Sequence, residues 1–440
     1  MTKQQFLTTF FSRLNQDCID YFVYGEYRQL PVNTGGSDID MIVSKNDFTK
    51  VVTLLCALAK ENKVIIASKY ANANAYFYRC LSDNWGVQID ILEDGLYFQG
   101  VPYYPIEKLR KHVIEHNKIK VVKYDYGFFA DYFKEILHKG KAKEKYRTAV
   151  IKAMIQQDEE CSMDIKELYG QDTLEMIKSN LTFEGLNEIG LSLQKNIRKK
   201  ILKGKTMTVL KTKVLLSKRL FTKKPGYVIA VLGTDGSGKS TIINAITPWL
   251  NEGFHHGVIY NHLRPNILPD LGVTLGKKSA VSKKEASTVC SDPHGQKPSG
   301  FVGSMMRWGY YMLDYTVGYM LSVWKTIHIH SKVFIFDRYY YDYYIDQRRS
   351  RTSLPHWILR LGECIVPTPD IILCLGGDPQ KIYNRKPETS LEEVTRQTCA
   401  LQKFCHNHHK AVWIDTTTSL QESINATQSA ILTMLAKRFK

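Results

Sequence analysis

The spacing of hydrophobic residues changes twice along this 440-residue chain. Residues 1 to about 120 mix short helical and strand signals, which predicts an α+β domain. From about 126 to 215 strand alternation is absent. There Phe129, Phe133, Ile136, Leu137, Ile151 and Ile155 recur at helical spacing, so residues 121–215 read as a helical region and connector. Pro225-Gly226 then punctuates the chain. Beyond it, apolar runs at 227–232, 258–262, 333–337, 370–375 and 411–415 alternate with helical segments. This alternation predicts an α/β domain over 226–440 with a five-stranded parallel sheet. A long excursion separates the second run from the third. Its first half, 276–300, is rich in Lys, Ser, Gly and Pro and reads as a loop or lid. The longest apolar stretch, 308–324, has Asp314 in its middle, which predicts a buried core helix rather than a membrane span.

The first strand of the α/β region runs into Gly233-Thr234-Asp235-Gly236-Ser237-Gly238-Lys239-Ser240-Thr241. This matches G-x-x-x-x-G-K-[ST] in full. Glycines let the backbone wrap phosphate oxygens, and the helix that follows turns its positive end toward them. Lys239 adds a point charge at the β- and γ-phosphates of ATP, and the Ser240 hydroxyl can hold Mg²⁺. The third strand delivers Asp337-Arg338-Tyr339 to the same edge of the sheet. An Asp there can serve a metal ion or a proton, and an Arg can clamp a phosphoryl group.

The phosphate loop, Asp337-Arg338-Tyr339, Pro369-Asp370 and Trp413-Ile414-Asp415 together resemble the thymidylate kinase group. Such kinases move the γ-phosphoryl of ATP to a nucleoside monophosphate. The resemblance implies that Asp235 contacts the acceptor's sugar, Arg338 its phosphate, and that Asp337 serves the metal and acceptor region. It also implies that Arg385 closes over the transferring group from a lid, and that the protein forms a homodimer. The group's Arg-Glu-Pro-Gly-Gly segment is replaced by His262-Leu263-Arg264-Pro265, from which Arg264 can reach an acceptor phosphate. The wider resemblance is to thymidylate-kinase-like proteins associated with bacterial surface-glycan biosynthesis, and the expected acceptor is a small molecule, a nucleoside monophosphate or one of sugar type. Arg348, Arg349 and Arg351 could also bind an anionic acceptor or form a solvated face.

A second chemistry is written near the N-terminus, in Gly35-Gly36-Ser37-Asp38-Ile39-Asp40. Residues i and i+2 of a strand share a face, so Asp38 and Asp40 point the same way. Asp90 lies in a second alternating run, 87–92. Three converging carboxylates suit divalent cations and in-line phosphoryl displacement. With Tyr24-Gly25-Glu26 upstream, the pattern resembles nucleotidyltransferases of the DNA polymerase β type. Glu26 stands where that superfamily usually has Gly or Ser. The resemblance covers about 15–115 and implies that 1–120 is a nucleotidyltransferase-like domain, either active or reduced to binding.

Composition narrows the remaining classes. Lys and Arg number 60 against 43 Asp and Glu, a net charge of +17. Twelve of those bases fall in 195–224, which has no acid. This segment reads as a solvated connector or as an element lying on an anionic membrane. A nucleic-acid-binding protein, or a membrane-surface scaffold with an inactive N-terminal domain, are the alternatives to an enzyme. No nucleic-acid-binding motif accompanies the charge. Nine scattered cysteines without a C-x-x-C pair and the absence of a signal-peptide pattern predict a cytoplasmic protein, or one peripheral to the inner membrane face. Cys399, Cys405, His406, His408 and His409 fit no common zinc spacing and read as a helix surface.

Overall fold

The computed structural model describes residues 1–72, 74–222, 224–269, 300–347, 349–350 and 352–438. The expected lid, apart from Gly300, and Arg348 and Arg351 lie outside the described residues. The chain forms two compact units, Met1–Thr222 and Lys223–Lys440.

Unit 1 starts with α1 (Lys3–Gln16), closed by a capping box between Thr2 and Gln5. Strands β1 (Tyr21–Tyr24) and β2 (Ile39–Val43), helix α2 (Lys45–Glu61), and strands β3 (Ile65–Asn72), β4 (Ala75–Leu81) and β5 (Gly86–Glu93) follow. A hairpin of β6 (Gly95–Phe98) and β7 (Val101–Pro105), helix α3 (Ile106–Arg110), and strands β8 (Val113–His116) and β9 (Ile119–Val122) complete its α+β part. Seven of these strands form one sheet in the order β3-β4-β5-β2-β1-β9-β8. Strand alternation sends Tyr21, Val23, Met41, Ile89 and Ile91 to the face covered by α1 and α2. Phe22, Tyr24 and Ile42 go to the other face, where they join a core built from a helical layer.

That layer comprises α4 (Tyr124–Lys139), α5 (Glu144–Ile155), α6 (Glu159–Tyr169), α7 (Gln171–Lys178), α8 (Phe183–Glu188), α9 (Gly190–Leu202) and α10 (Thr206–Lys218). The spacing of its apolar residues is therefore helical, as the pattern predicts. Phe129, Phe133 and Ile136 of α4 meet Ile165 of α6 and Leu193 and Ile197 of α9 in the core. Within the basic 195–224 segment, Ile197 is buried, whereas Met207, Leu210, Val214, Leu215 and Phe221 are exposed.

Unit 2 is the predicted parallel α/β sheet. Its strands are β10 (Tyr227–Gly233), β11 (Val258–His262), β12 (Val333–Asp337), β13 (Ile371–Gly376) and β14 (Ala411–Asp415). They run parallel in the order β11-β12-β10-β13-β14. The central β10 is flanked by β12 and β13, so the loops after all three strands open on one edge. The unit's helices include α11 (Lys239–Phe254) and α12 (Phe301–Leu313), the latter continued by a π-helical Asp314–Trp324 into α13 (Lys325–Ile329). They also include α14 (Asp342–Ile345), α15 (His356–Ile365), α16 (Pro379–Arg385), α17 (Leu391–Asn407) and α18 (Leu420–Ala436).

The expected core helix at 308–324 is buried on one face only. Tyr315, Tyr319 and Val323 are buried, while Leu313, Val317, Met320 and Leu321 are more than half exposed. The run is apolar on both faces, and the sheet covers just one of them. Asp314 is accommodated on the buried side by Arg264, whose Nη1 donates to Oδ2 at 2.7 Å. Backbone N–H groups of Asn266, Ile267 and Leu268 also donate to this carboxylate. On α17, Cys399 is exposed and His408 packs against Tyr341 and Phe404. Among the described residues no helix is long and apolar enough to cross a membrane.

Removing Asp314 leaves a buried guanidinium and three backbone donors without their acceptor. Asp314→Ala is expected to destabilise unit 2 by about 3–5 kcal/mol in urea unfolding, with Asp314→Asn losing less because the amide oxygen still accepts.

Candidate functional site

The phosphate-type loop of unit 2 is held open by its glycines. Gly236 and Gly238 both have φ +81°, in the left-handed region that L side chains resist. A Cβ on Gly236 would also lie 2.7 Å from the Ile382 carbonyl oxygen of α16. Lys239, Ser240 and Thr241 begin α11, so their backbone N–H groups lie in its first turn, where the helix end favours anions. Lys239 is buried and its Nζ donates to the carbonyls of Gly233 at 3.0 Å and Thr234 at 2.8 Å. Burial, with the nearby Arg338 charge, pulls its ammonium down to about 7.

Asp337 and Arg338 leave the end of β12 beside this loop. The chain turns there through Arg338 at φ +70°, a strained conformation costing about 1–3 kcal/mol. It is fixed by Arg338 N donating to Val231 O at 2.8 Å. The Arg338 side chain is buried between two carboxylates. Its Nη1 donates to Asp342 at 2.9 Å and its Nη2 to Asp235 at 2.8 Å. Asp235 also pairs with Arg349. Burial alone would raise Asp235, but the Arg338 and Arg349 cations prevail and hold it at about 2. Asp337 Oδ2 accepts from the Tyr260 hydroxyl at 3.1 Å and faces His262 Nδ1 at 3.6 Å. Burial likewise opposes its ionisation, yet the His262 contact and the Lys239 and Arg338 charges keep it below the ordinary carboxylate range. Its Oδ1 is buried without a hydrogen-bond partner, as are Ser237 Oγ and Thr234 Oγ1.

These groups surround one cavity of about 480 Å³. Asp235, Gly236, Gly238, Lys239, Ser240 and Thr241 line it, together with Asp337, Arg338, Arg349, Arg385 and Lys386. Arg385 is braced by donation to the Thr416 carbonyl at 2.8 Å. Gly233 and Ser237 support the loop from beneath, Ser237 being buried. Arg264 is not in this lining. Expected to reach an acceptor phosphate, it is instead turned into the ion pair with Asp314, its guanidinium lying over the Tyr311 ring. Once buried there, Arg264 is held by Asp314 and by the Leu268 carbonyl at 3.0 Å, and withdrawing it would leave Asp314 an unpaired buried charge. Sequence reading missed Asp342 as the second partner of Arg338, and also Thr416, Thr418 and Ser423 in the cavity wall. The i,i+4 spacing of Arg338 and Asp342 was the available signal.

In unit 1, β2 and β5 run parallel with Asp40 opposite Asp90. Asp38 sits just before β2, and one oxygen each of Asp38, Asp40 and Asp90 lie within 4.8 Å of one another. Burial, reinforced by the Asp38 charge, pushes Asp40 up to about 8. Burial and the two neighbouring carboxylates also raise Asp90 well above its ordinary value. Asp90 is oriented by Gln88, which donates at 2.9 Å and in turn accepts from Arg79 at 3.0 Å. Gly25, at φ +83°, turns the chain beside Asp40. Glu26 is drawn off into pairing with Arg28 and accepts from the Tyr124 hydroxyl at 2.8 Å. Carboxylates so close together in a buried sheet suit a divalent cation. Among the described residues they form the one such grouping.

No protein-family profile and no curated protein matches this chain. Among solved structures, thymidylate kinase from Ehrlichia chaffeensis aligns over 47% of this chain and 97% of its own, at 16% identity and a TM-score of 0.30.

The Lys239 environment has a measurable consequence. Its proton leaves near pH 7 rather than near 10.5, and an entering triphosphate supplies negative charge that restores it. Triphosphate binding at pH 8 is expected to take up a proton, and binding at pH 6 is not. Calorimetry in buffers of different ionisation enthalpy reads this directly, and Lys239→Met should abolish the pH 8 uptake.

Proposed function

We propose that unit 2 is an ATP-dependent phosphotransferase acting on a small-molecule acceptor, a nucleoside monophosphate or a sugar-type molecule. The observation that carries this reading is the convergence of the glycine loop, Asp337 and the cations Lys239, Arg338, Arg349, Arg385 and Lys386 on one cavity. Such an array suits two phosphate-bearing ligands better than one. Lys239 and the first-turn N–H groups of α11 bind and orient the donor's phosphates. Arg338 and Arg349, released in part from Asp235, take the acceptor's anionic group. Arg385 and Lys386 approach from the α16 side and offset charge on the moving phosphoryl group. Mg²⁺, when bound, would neutralise phosphate oxygens; Ser240 and Asp337 are the residues to hold it, and the unpartnered Asp337 Oδ1 fits that role.

An acceptor screen with labelled ATP tests the assignment. Transfer to at least one nucleoside monophosphate or sugar-type acceptor is expected, reduced about 100-fold or more in Lys239→Ala. Full transfer by that variant would remove the kinase reading.

A second reading, nucleotidyl transfer at unit 1, is favoured by the Asp38/Asp40/Asp90 grouping. Mg²⁺ held by these carboxylates would polarise a triphosphate. On this reading one polypeptide phosphorylates a small molecule and then activates the product. Titration with Mn²⁺ should give a site in the full chain that Asp40→Asn weakens at least about tenfold. Unchanged Mn²⁺ binding by Asp40→Asn, or release of only phosphorylated product with every nucleoside triphosphate, would exclude this second activity.

A further inference from the structure

Asp131 and Lys134 of unit 1 have no role in the readings above. Both belong to α4, whose other residues from 126 to 137 are almost all apolar or aromatic. Their placement is specific. Alternation along β1 and β2 puts Phe22, Tyr24 and Ile42 on the face covered by the helical layer, and Asp40, two residues from Ile42, shares that face. Tyr24 stands opposite Asp40 across the β1–β2 pair. Gly127 of α4 brings the helix close to the Gly25 turn, since a Cβ there would lie 3.5 Å from Gly25 N. Helix α4 therefore lies over the carboxylate grouping.

Asp131 is 7% exposed, and its Oδ1 has no hydrogen-bond partner. The nearest cation is Lys134 Nζ at 3.9 Å, beyond hydrogen-bonding distance. A buried carboxylate oxygen left in this state is destabilising, a penalty that a purely structural aspartate would avoid. Lys134 Nζ also lies 5.8 Å from the Tyr24 ring centroid, and the buried Tyr24 hydroxyl has no partner. The charges bearing on Asp131 are Lys134 and Glu135 from α4, Lys145 from α5, and Asp38 from the segment before β2. Asp131 and Lys134 in turn bear on Asp40. One acidic group with an unpartnered buried oxygen, and one cation whose side chain is 42% exposed, thus bear on the carboxylate grouping from α4.

We infer that Asp131 is the proton acceptor, and Lys134 the phosphate-holding cation, for nucleotidyl transfer to the hydroxyl of a small polar acceptor. The inference rests on the nucleotidyl-transfer reading of unit 1. In the step, the acceptor's hydroxyl oxygen bonds to the α-phosphorus of a nucleoside triphosphate. The bond from that phosphorus to the bridging oxygen breaks, and its electron pair leaves with pyrophosphate. The hydroxyl proton passes to Asp131, while Lys134 offsets charge on the phosphate oxygens. A carboxylate on the acceptor side disfavours a polyanionic strand more than it does a small, hydroxyl-rich molecule such as a polyol or a sugar phosphate.

The test uses the full chain with Mg²⁺, the four nucleoside triphosphates and a panel of sugar phosphates and polyols, reading pyrophosphate release. Asp131→Asn is expected to lower kcat about 100-fold or more with KM for the triphosphate within about twofold. The acidic limb of its kcat–pH profile should disappear, and Mn²⁺ binding should persist. Asp131→Glu should recover part of the rate, and Lys134→Ala should raise KM for the triphosphate. Wild-type kcat in Asp131→Asn, or loss of its Mn²⁺ site, would overturn the assignment of Asp131 while leaving nucleotidyl transfer in place. Absence of pyrophosphate release by the wild-type chain with every pair would overturn both.

Discussion

Like charges removed from water have to be matched, and both units are organised around that requirement. In unit 1 the parallel pairing of β2 and β5 forces Asp40 against Asp90, with Asp38 beside them. The sheet register holds Asp40 and Asp90 together, and burial first, then the neighbouring carboxylates, push both of them up until a cation or a proton relieves them. Arg79 and Gln88 fix Asp90, and the Gly25 turn fixes the approach to Asp40.

Unit 2 presents the opposite sign. Its cations converge from four separate elements: the start of α11, the end of β12, the segment after α14, and the end of α16. They coexist because Asp235, Asp337 and Asp342 are interleaved among them. The strained backbone at Arg338 is part of this arrangement, since it lets one residue follow Asp337 at the strand end and still turn its side chain into the buried pair.

Much of unit 2 was legible because its signals are local. The five strands of the parallel sheet are contiguous apolar runs, and the glycine loop is a continuous nine-residue motif. What escaped depends on contacts far apart in the chain. Arg264 and Asp314 are fifty residues apart, and nothing near either residue reveals that they meet in the interior. The 308–324 helix misled for a related reason, since apolar spacing reports that a residue can be buried and not which face finds a neighbour. In unit 1, the period of two placed Asp38 and Asp40 on one side, but only the pairing of β2 with β5 brings Asp90 to them. The wall opposite them could not be placed, because α4 belongs to a region whose helices, though legible one by one, carry no local sign of where they dock.

The double pairing of Asp235 has a kinetic meaning. With Arg338 and Arg349 both engaged by one carboxylate, the pocket carries its own surrogate anion, with which the anionic ligand of the proposed reaction would have to compete. Apparent affinity is then the intrinsic affinity scaled by the fraction of time the guanidiniums are disengaged. The same carboxylate reclaims them as the ligand departs, which speeds dissociation. On the proposed phosphotransferase reading, Asp235 would thereby limit how tightly the site retains an anionic ligand, which would suit repeated turnover rather than storage.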